Sequence, residues 1–246
     1  MSETRIAADD SRAQATIPVV DQIGFADSAA APQTREQIHL RIGQIGIIPA
    51  IRFASAEDAL FAAETVASAG IPILEISMTV PGAMGIISQL VKYAPEVIVG
   101  AGSILNANTA RRCLDQGAKF LTSDGLVPDM VEFAAKESVV VIPGALTPTE
   151  IIAAWNAGAD FVKVCPCDAV GGHNYIRSLK TALPEARLIA AGGVNQLTAV
   201  KFIAAGAAAL GVGKELFPEE AIWLRQDLRI QELARRFLSS VDKGRA

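Results

Sequence analysis

Cysteine is scarce in this chain of 246 residues: there are three, at Cys113, Cys165 and Cys167. Their number and spacing fit neither a disulfide framework nor a thioredoxin or zinc motif, which points to a reducing, cytoplasmic setting. Histidine is scarcer still, His39 and His173 only, so a serine-hydrolase triad or a histidine-rich metal site has little to draw on. No Gly-x-Ser-x-Gly elbow and no His-Glu-x-x-His run occurs. Chemistry without a metal is expected. Aromatics amount to 5%, and in their place stand Ala, Val, Ile and Gly, which suit parallel sheets and the helices packed on them and speak against an all-β design. Positive charge is not in excess either: 22 Lys and Arg face 26 Asp and Glu, a formal net charge of -4 that offers no field to a nucleic acid. No apolar run reaches the ~18 residues that span a bilayer, and acidic residues stand near the N-terminus where a signal peptide has its apolar core. Neither nucleic acid nor membrane is an expected partner.

What is present is a large apolar fraction, 51% against 20% charged residues, enough for a sizeable core. The length suits one (β/α) barrel, for which ~250 residues is usual. Residues 1–32 show no sustained apolar period and are expected to form a flexible extension, with the folded domain over 33–246. From Gln33, the spacing of Ile38, Ile42 and Ile45 predicts a short helix that plugs the lower end of the domain. Thereafter short apolar runs alternate with longer amphipathic ones at a beat of about 25 residues. The runs are Ile47 to Arg52, Ile73 to Met78, Val97 to Ser103, Phe120 to Ser123, Val139 to Pro143, Phe161 to Cys165, Leu188 to Ala191 and Ala209 to Val212. Helices are expected to start near Ala56, Pro81, Ala107, Pro128, Pro148, Asn174, Gln196 and Pro218, several behind a Ser, Thr, Asp or Asn cap or with Pro in the first turn. This alternation predicts an α/β fold, a single (β/α)8 TIM barrel, ahead of an open doubly wound sheet.

In such barrels function sits at the C-terminal ends of the strands. Two strands carry a charge there. Alternation in Phe161-Val162-Lys163-Val164-Cys165-Pro166 turns Lys163 into the barrel, where desolvation is expected to lower its pKa and supply the neutral amine that attack on a ketone requires. In Ile73-Leu74-Glu75-Ile76-Ser77 the inward residue is Glu75, the expected partner of Lys163 and a proton carrier for it. Arg52 ends the first strand, either as a fixed charge for a carboxylate or phosphate or as an exposed residue just beyond it. Gly192-Gly193 after the seventh strand and Gly211-Val212-Gly213 after the eighth stand where barrels commonly hold a phosphate on backbone N–H groups. Lys214 comes directly after them. Cys165 shares the face of Lys163 and reads as a small interior filler. A phosphate-binding barrel isomerase or decarboxylase, or a barrel that binds a sugar acid without catalysis, shares some of these features. The decarboxylase pattern, however, asks for Asp-x-Lys, and here the run is Asp160-Phe161-Val162-Lys163.

Leu74-Glu75-Ile76, Val99-Gly100-Ala101-Gly102-Ser103-Ile104-Leu105-Asn106, Ile142-Pro143-Gly144, Phe161-Val162-Lys163 with Pro166, and Gly192-Gly193-Val194 occur in this order. Together they resemble the 2-keto-3-deoxy-6-phosphogluconate (KDPG) and 4-hydroxy-2-oxoglutarate (KHG) aldolase family, pyruvate-forming class I aldolases, from about Ile47 to the C-terminal helix. The resemblance implies a Schiff-base lysine at Lys163, an acid/base glutamate at Glu75 and a hydroxyl near the pyruvyl carboxylate at Ser103. It also implies a small keto acid substrate, phosphorylated or not, and a homotrimer. Three positions depart from the pattern: Thr79 stands where many members have a substrate-binding arginine, Asp124 replaces a common proline, and Lys214 replaces a small residue. Arg52 is placed to supply the missing charge. These departures bear on substrate identity rather than on reaction class.

Overall fold

The helix expected from Ile38, Ile42 and Ile45 forms as α1 (Arg35–Ile45), with Thr34 and Gln37 closing a capping box at its start and Ile38 and Ile42 buried. The structure, a computed structural model, describes residues 33–246; the extension expected over 1–32 lies outside the described residues. Eight staves come next. The first four are β1 (Ile47–Ile51), β2 (Ile73–Ser77), β3 (Ile98–Gly102) and β4 (Phe120–Thr122). The fifth, expected as one strand ending at Pro143, is two: β5 (Val140–Ile142) and β6 (Gly144–Ala145). Pro143 has no N–H to give a ladder, and the partners change across it: β5 pairs with β4 and β6 with β7 (Val162–Val164). β8 (Leu188–Ala191) and β9 (Ala209–Val212) complete a nine-stranded, all-parallel order β5-β4-β3-β2-β1-β9-β8-β7-β6. Its two ends are consecutive in the chain, so the barrel closes through Pro143, whose carbonyl still accepts from Lys163 N at 2.9 Å.

The helices lie outside the sheet. α2 (Ala56–Ser68) begins behind Ser55, α4 (Ala107–Asp115) behind Asn106 and α6 (Pro148–Asn156) behind Thr147, each cap side chain accepting a backbone N–H of the first turn. α5 (Pro128–Lys136) and α6 carry Pro at the first position, as expected. α3 (Ala83–Tyr93) starts after Pro81, behind Gly82 in the left-handed region, and α7 (His173–Ala182) starts one residue before Asn174. α8 (Ala199–Ala204) begins three residues after Gln196, because Asn195 Oδ1 accepts the N–H groups of Leu197 and Thr198 and holds that stretch as a turn. The last helix expected from Pro218 is interrupted: α9 (Glu219–Trp223) ends at Leu224, Arg225 takes φ 51°, and α10 (Asp227–Arg245) runs to the C-terminus.

α1 crosses the N-terminal end of the barrel as a plug. Arg35 Nε and Nη2 each donate to Asp160 at 3.0 Å, ahead of β7, and the His39 ring stacks on Phe161 with centroids 4.6 Å apart. At the other end of the plug the carbonyl of Gly46 accepts from Leu210 N, in β9. With the lower end shut, only the C-terminal ends of the strands are left to hold a site.

Candidate active site

A cavity of about 1090 Å³ opens at that upper end. Strand alternation fills its wall: Ala50 and Arg52, Lys163 and Cys165, Ala191 and Gly193, Gly211 and Gly213 line it as i, i+2 pairs. Val162 and Val164 are fully buried on the other face, as the sequence predicts, and Lys163 is 7% exposed. Glu75, 4% exposed, sits on β2 in register with Ala50 of β1 and Gly100 of β3. Gly102 makes its place, because a Cβ there would run into the Glu75 carboxyl group.

The direct partner of Lys163 differs from the expected one. Its Nζ donates to Asp124 Oδ1 at 3.1 Å, while Glu75 acts on it through space. Asp124 reaches the amine from the loop after β4 because its peptide lies flat on Gly144, where a Cβ would strike the Asp124 carbonyl, and Ser123 Oγ closes the turn onto Gly125 O at 2.6 Å. The expected fall in the pKa of Lys163 is corrected as well. Burial pulls it down, but the nearby Glu75 and Asp124 carboxylates outweigh that and hold the amine above its ordinary value. Asp124 moves the opposite way: burial pushes its carboxyl up, and the charges and hydrogen bonds of Lys163, Ser103 and Arg52 bring it to a net fall.

Arg52 stands one residue past β1, half-exposed, and Nη2 donates to Ser103 Oγ at 2.9 Å with longer 3.5 Å contacts to both Asp124 oxygens. Ser103 Oγ also accepts from Ser77 Oγ at 3.0 Å and donates to Asp124 Oδ2 at 2.9 Å. The backbone of Ser103 is held at φ 58°, a left-handed conformation that costs a non-glycine residue about 1 to 3 kcal/mol and recurs at functional sites. Thr79 is exposed and stands off the cavity wall, with a 2.8 Å hydrogen bond to Ser77 Oγ, which in turn donates to Ser103.

On the loop after β8, beside the Lys163 strand, Gly192 and Gly193 adopt φ 77° and 76°, and a Cβ on either would meet Pro166 or Asp168. Only glycine allows both the conformation and this close packing onto the loop after β7. Gly213 and the exposed Lys214 lie beside them on the cavity rim with Glu215, Glu219 and Glu220, and Lys214 forms no ion pair with another described residue. Trp223 is 80% exposed at the rim, next to Arg225, which is held by Glu57 at 2.8 Å and Asp58 at 2.7 Å. Burial pushes the Cys165 thiol up, which suits the filler predicted from sequence. Among the described residues no group of three or more His, Cys, Asp and Glu side chains is arranged to hold a metal ion.

The structure thus brings Lys163, Glu75, Arg52, Gly192, Gly193, Gly213 and Lys214 to the cavity wall, with Ser103 bonded to Arg52 and Asp124, and Thr79 off the wall and joined to the same network through Ser77. Asp124, Ser77, Gly102 and Gly144 were not identified as site residues from sequence. For Asp124 a signal existed: a carboxylate in Thr122-Ser123-Asp124-Gly125, directly after a barrel strand. The two glycines gave none, because a close approach between strands is not written in either strand alone.

The model of the family described as KDPG and KHG aldolase matches residues 38–233. The KHG/KDPG aldolase of Escherichia coli (strain K12) is 27% identical over 189 residues, 77% of this chain and 89% of the relative. A probable 2-dehydro-3-deoxy-6-phosphogalactonate aldolase of Rhizobium meliloti (strain 1021) is 30% identical over 173 residues, 70% of this chain and 81% of the relative. Among solved structures, the KDPG aldolase from Legionella pneumophila, with pyruvate captured at low pH as a covalent carbinolamine intermediate, superposes with a TM-score of 0.74 at 26% identity. That superposition covers 80% of this chain and 95% of the other.

Proposed function

The chain belongs to the KDPG and KHG aldolase family, and from that membership we infer that it is a carbon-carbon lyase that cleaves a 2-keto-4-hydroxy acid to pyruvate and an aldehyde through a lysine Schiff base. The observation that carries the assignment of residues is a buried amine, Lys163, between the two carboxylates Glu75 and Asp124 at the functional end of the barrel.

In this reading the neutral amine of Lys163, its proton passed to a carboxylate, adds to the C2 ketone. Glu75 protonates the hydroxyl of the carbinolamine, water leaves, and a protonated imine remains. That iminium is an electron sink. When the C4 hydroxyl gives its proton to the Glu75 carboxylate, directly or through water, the C3–C4 bond breaks, its electrons form an enamine, and the aldehyde departs. Glu75 then protonates C3, and water hydrolyses the iminium to pyruvate and free Lys163.

The rest of the substrate is assigned by charge. Arg52 and Ser103 offer donors for the carboxylate beside Lys163, and the loops at Gly192, Gly193 and Gly213 with Lys214 offer a distal anion site that suits a phosphorylated substrate. No organic cofactor has a part in these steps. No helix among the described residues is long and apolar enough to cross a membrane. A cytoplasmic location is supported by the scarcity of cysteine, and a homotrimer by the family resemblance.

Borohydride trapping is the test. Incubation with pyruvate and borohydride is expected to leave a reduced pyruvyl adduct on Lys163, found by peptide mass mapping, and Lys163→Ala is expected to abolish both adduct and cleavage. An adduct on a different lysine, or cleavage retained in the variant, would sink the assignment.

A further inference from the structure

One carboxylate of this protein already occupies the donors that a 2-keto acid needs. Asp124 Oδ2 accepts from Ser103 Oγ at 2.9 Å, Oδ1 accepts from Lys163 Nζ at 3.1 Å, and Arg52 Nη2 lies 3.5 Å from both oxygens. Its backbone is fixed by the close approach to Gly144 and by the Ser123–Gly125 hydrogen bond, so the carboxylate is aimed at the site. Its side chain is nevertheless half-exposed, which leaves it room to swing outward.

A 2-keto acid carries its carboxylate one bond from the carbonyl carbon under attack. When C2 is within reach of the Lys163 amine, the C1 carboxylate therefore falls among Arg52, Ser103 and the amine, and that space holds the Asp124 carboxylate. We propose that Asp124 is a positioning residue that stands in for the substrate's carboxylate: in the empty site it holds Lys163 as an ammonium, and an arriving 2-keto acid must displace it from Arg52 and Ser103 to bring C2 to the amine. The proposal rests on the aldolase reading and adds to it a competition built into the fold.

The charges around the amine decide which group can yield. Glu75 faces Lys163 from β2, Asp124 from the loop after β4, and the Cys165 thiol from its own stave; Arg52, past the end of β1, faces Asp124. Glu75 is buried and walled in by β3. Asp124 is the carboxylate at hydrogen-bond distance from the amine and the one with access to solvent. Once it swings away, the desolvated ammonium faces one fixed carboxylate instead of two, and the neutral form gains.

Asp124→Asn keeps the shape and removes the charge; Asp124→Ala removes the side chain and guards against an effect peculiar to the amide. The measurement is the rate of borohydride trapping of pyruvate on Lys163 as a function of pyruvate concentration and pH. Both variants are expected to move the rise in trapping to lower pH and to lower the half-saturating pyruvate concentration roughly threefold to tenfold, since an internal competitor of like charge is gone. A purely structural role would weaken pyruvate binding and leave the pH profile in place. An unmoved profile, or a half-saturating concentration that stays the same or rises, overturns the proposal while wild-type trapping on Lys163 still upholds the aldolase reading. Wild-type protein that traps pyruvate on no lysine overturns both.

Discussion

Glu75 can be a proton carrier only where its carboxylate now lies, and two residues decide that place: Glu75 itself and the glycine opposite. Glu75→Gln keeps the size and removes the titrating proton, so turnover is expected to fall by about 10² or more while pyruvate still forms some imine. Gly102→Ala is expected to reach a similar loss by another route. Its Cβ would strike the buried Glu75 side chain from the carboxyl group back to Cγ and force it out of place, so kcat should drop with a stability loss of about 1 to 3 kcal/mol. Steady-state kinetics with a melting curve on each variant separates the two quantities. A different residue tests the distal site. If that site holds a phosphate, Lys214→Ala should raise KM for a phosphorylated keto acid by an amount worth about 1 to 3 kcal/mol and leave a short unphosphorylated one nearly unchanged. Equal losses for both substrates would place Lys214 near the pyruvyl end, and no loss for either would make it a solvated rim residue. At this scale much of the site was legible. Lys163 and Glu75 stand out because a charge inside an apolar strand is rare and alternation gives its direction. Asp124 was legible as a carboxylate after a barrel strand but not as the lysine's partner, because that contact joins residues 39 apart through a loop whose path depends on Gly144.

Among elements, α1 is the one whose role can be tested by pH. His39 on α1 stacks on Phe161 and faces Asp160, which also accepts from Arg35 and from Val141 N in β5. Burial of the imidazole, with Arg187 nearby, outweighs Asp160 and holds the pKa of His39 below its ordinary value. Folding therefore favours the neutral ring. The stability it contributes is present above the unfolded value and is lost as pH falls through the unfolded and then the folded pKa, so acidification from about pH 7.5 to about pH 5.5 should lower the melting temperature. His39→Gln should show a smaller drop over the same interval; an identical drop would mean that the plug does not sense protonation. The helix itself was legible from three isoleucines at helical spacing. Its ion pair with Asp160 was not, since it joins residues 125 apart. The split fifth stave shows the same limit. Pro143 announces a missing N–H, but only the change of partner from β4 to β7 shows that the barrel closes there.

At the scale of the whole molecule, the barrel from α1 onward needs nothing from residues 1–32 to complete its sheet or its lower plug. Light scattering is expected to give the full chain a mass three times its 25.8 kDa, and the chain without residues 1–32 the same assembly and melting temperature. A drop of more than a few degrees, or a change of oligomer, would show that the extension packs on a neighbour. The sequence by itself determined the alternation of strands and helices, the (β/α)8 class, and the inward direction of Lys163 and Glu75, because periods of 2 and about 3.6 and the cost of a buried charge are local properties that each segment carries alone. The tertiary structure decided which carboxylate touches the lysine, the direction in which its pKa moves, and where the glycines make room. Those depend on distances between staves far apart in the chain, and the balance of desolvation against two carboxylates is set only when all eight close around one space.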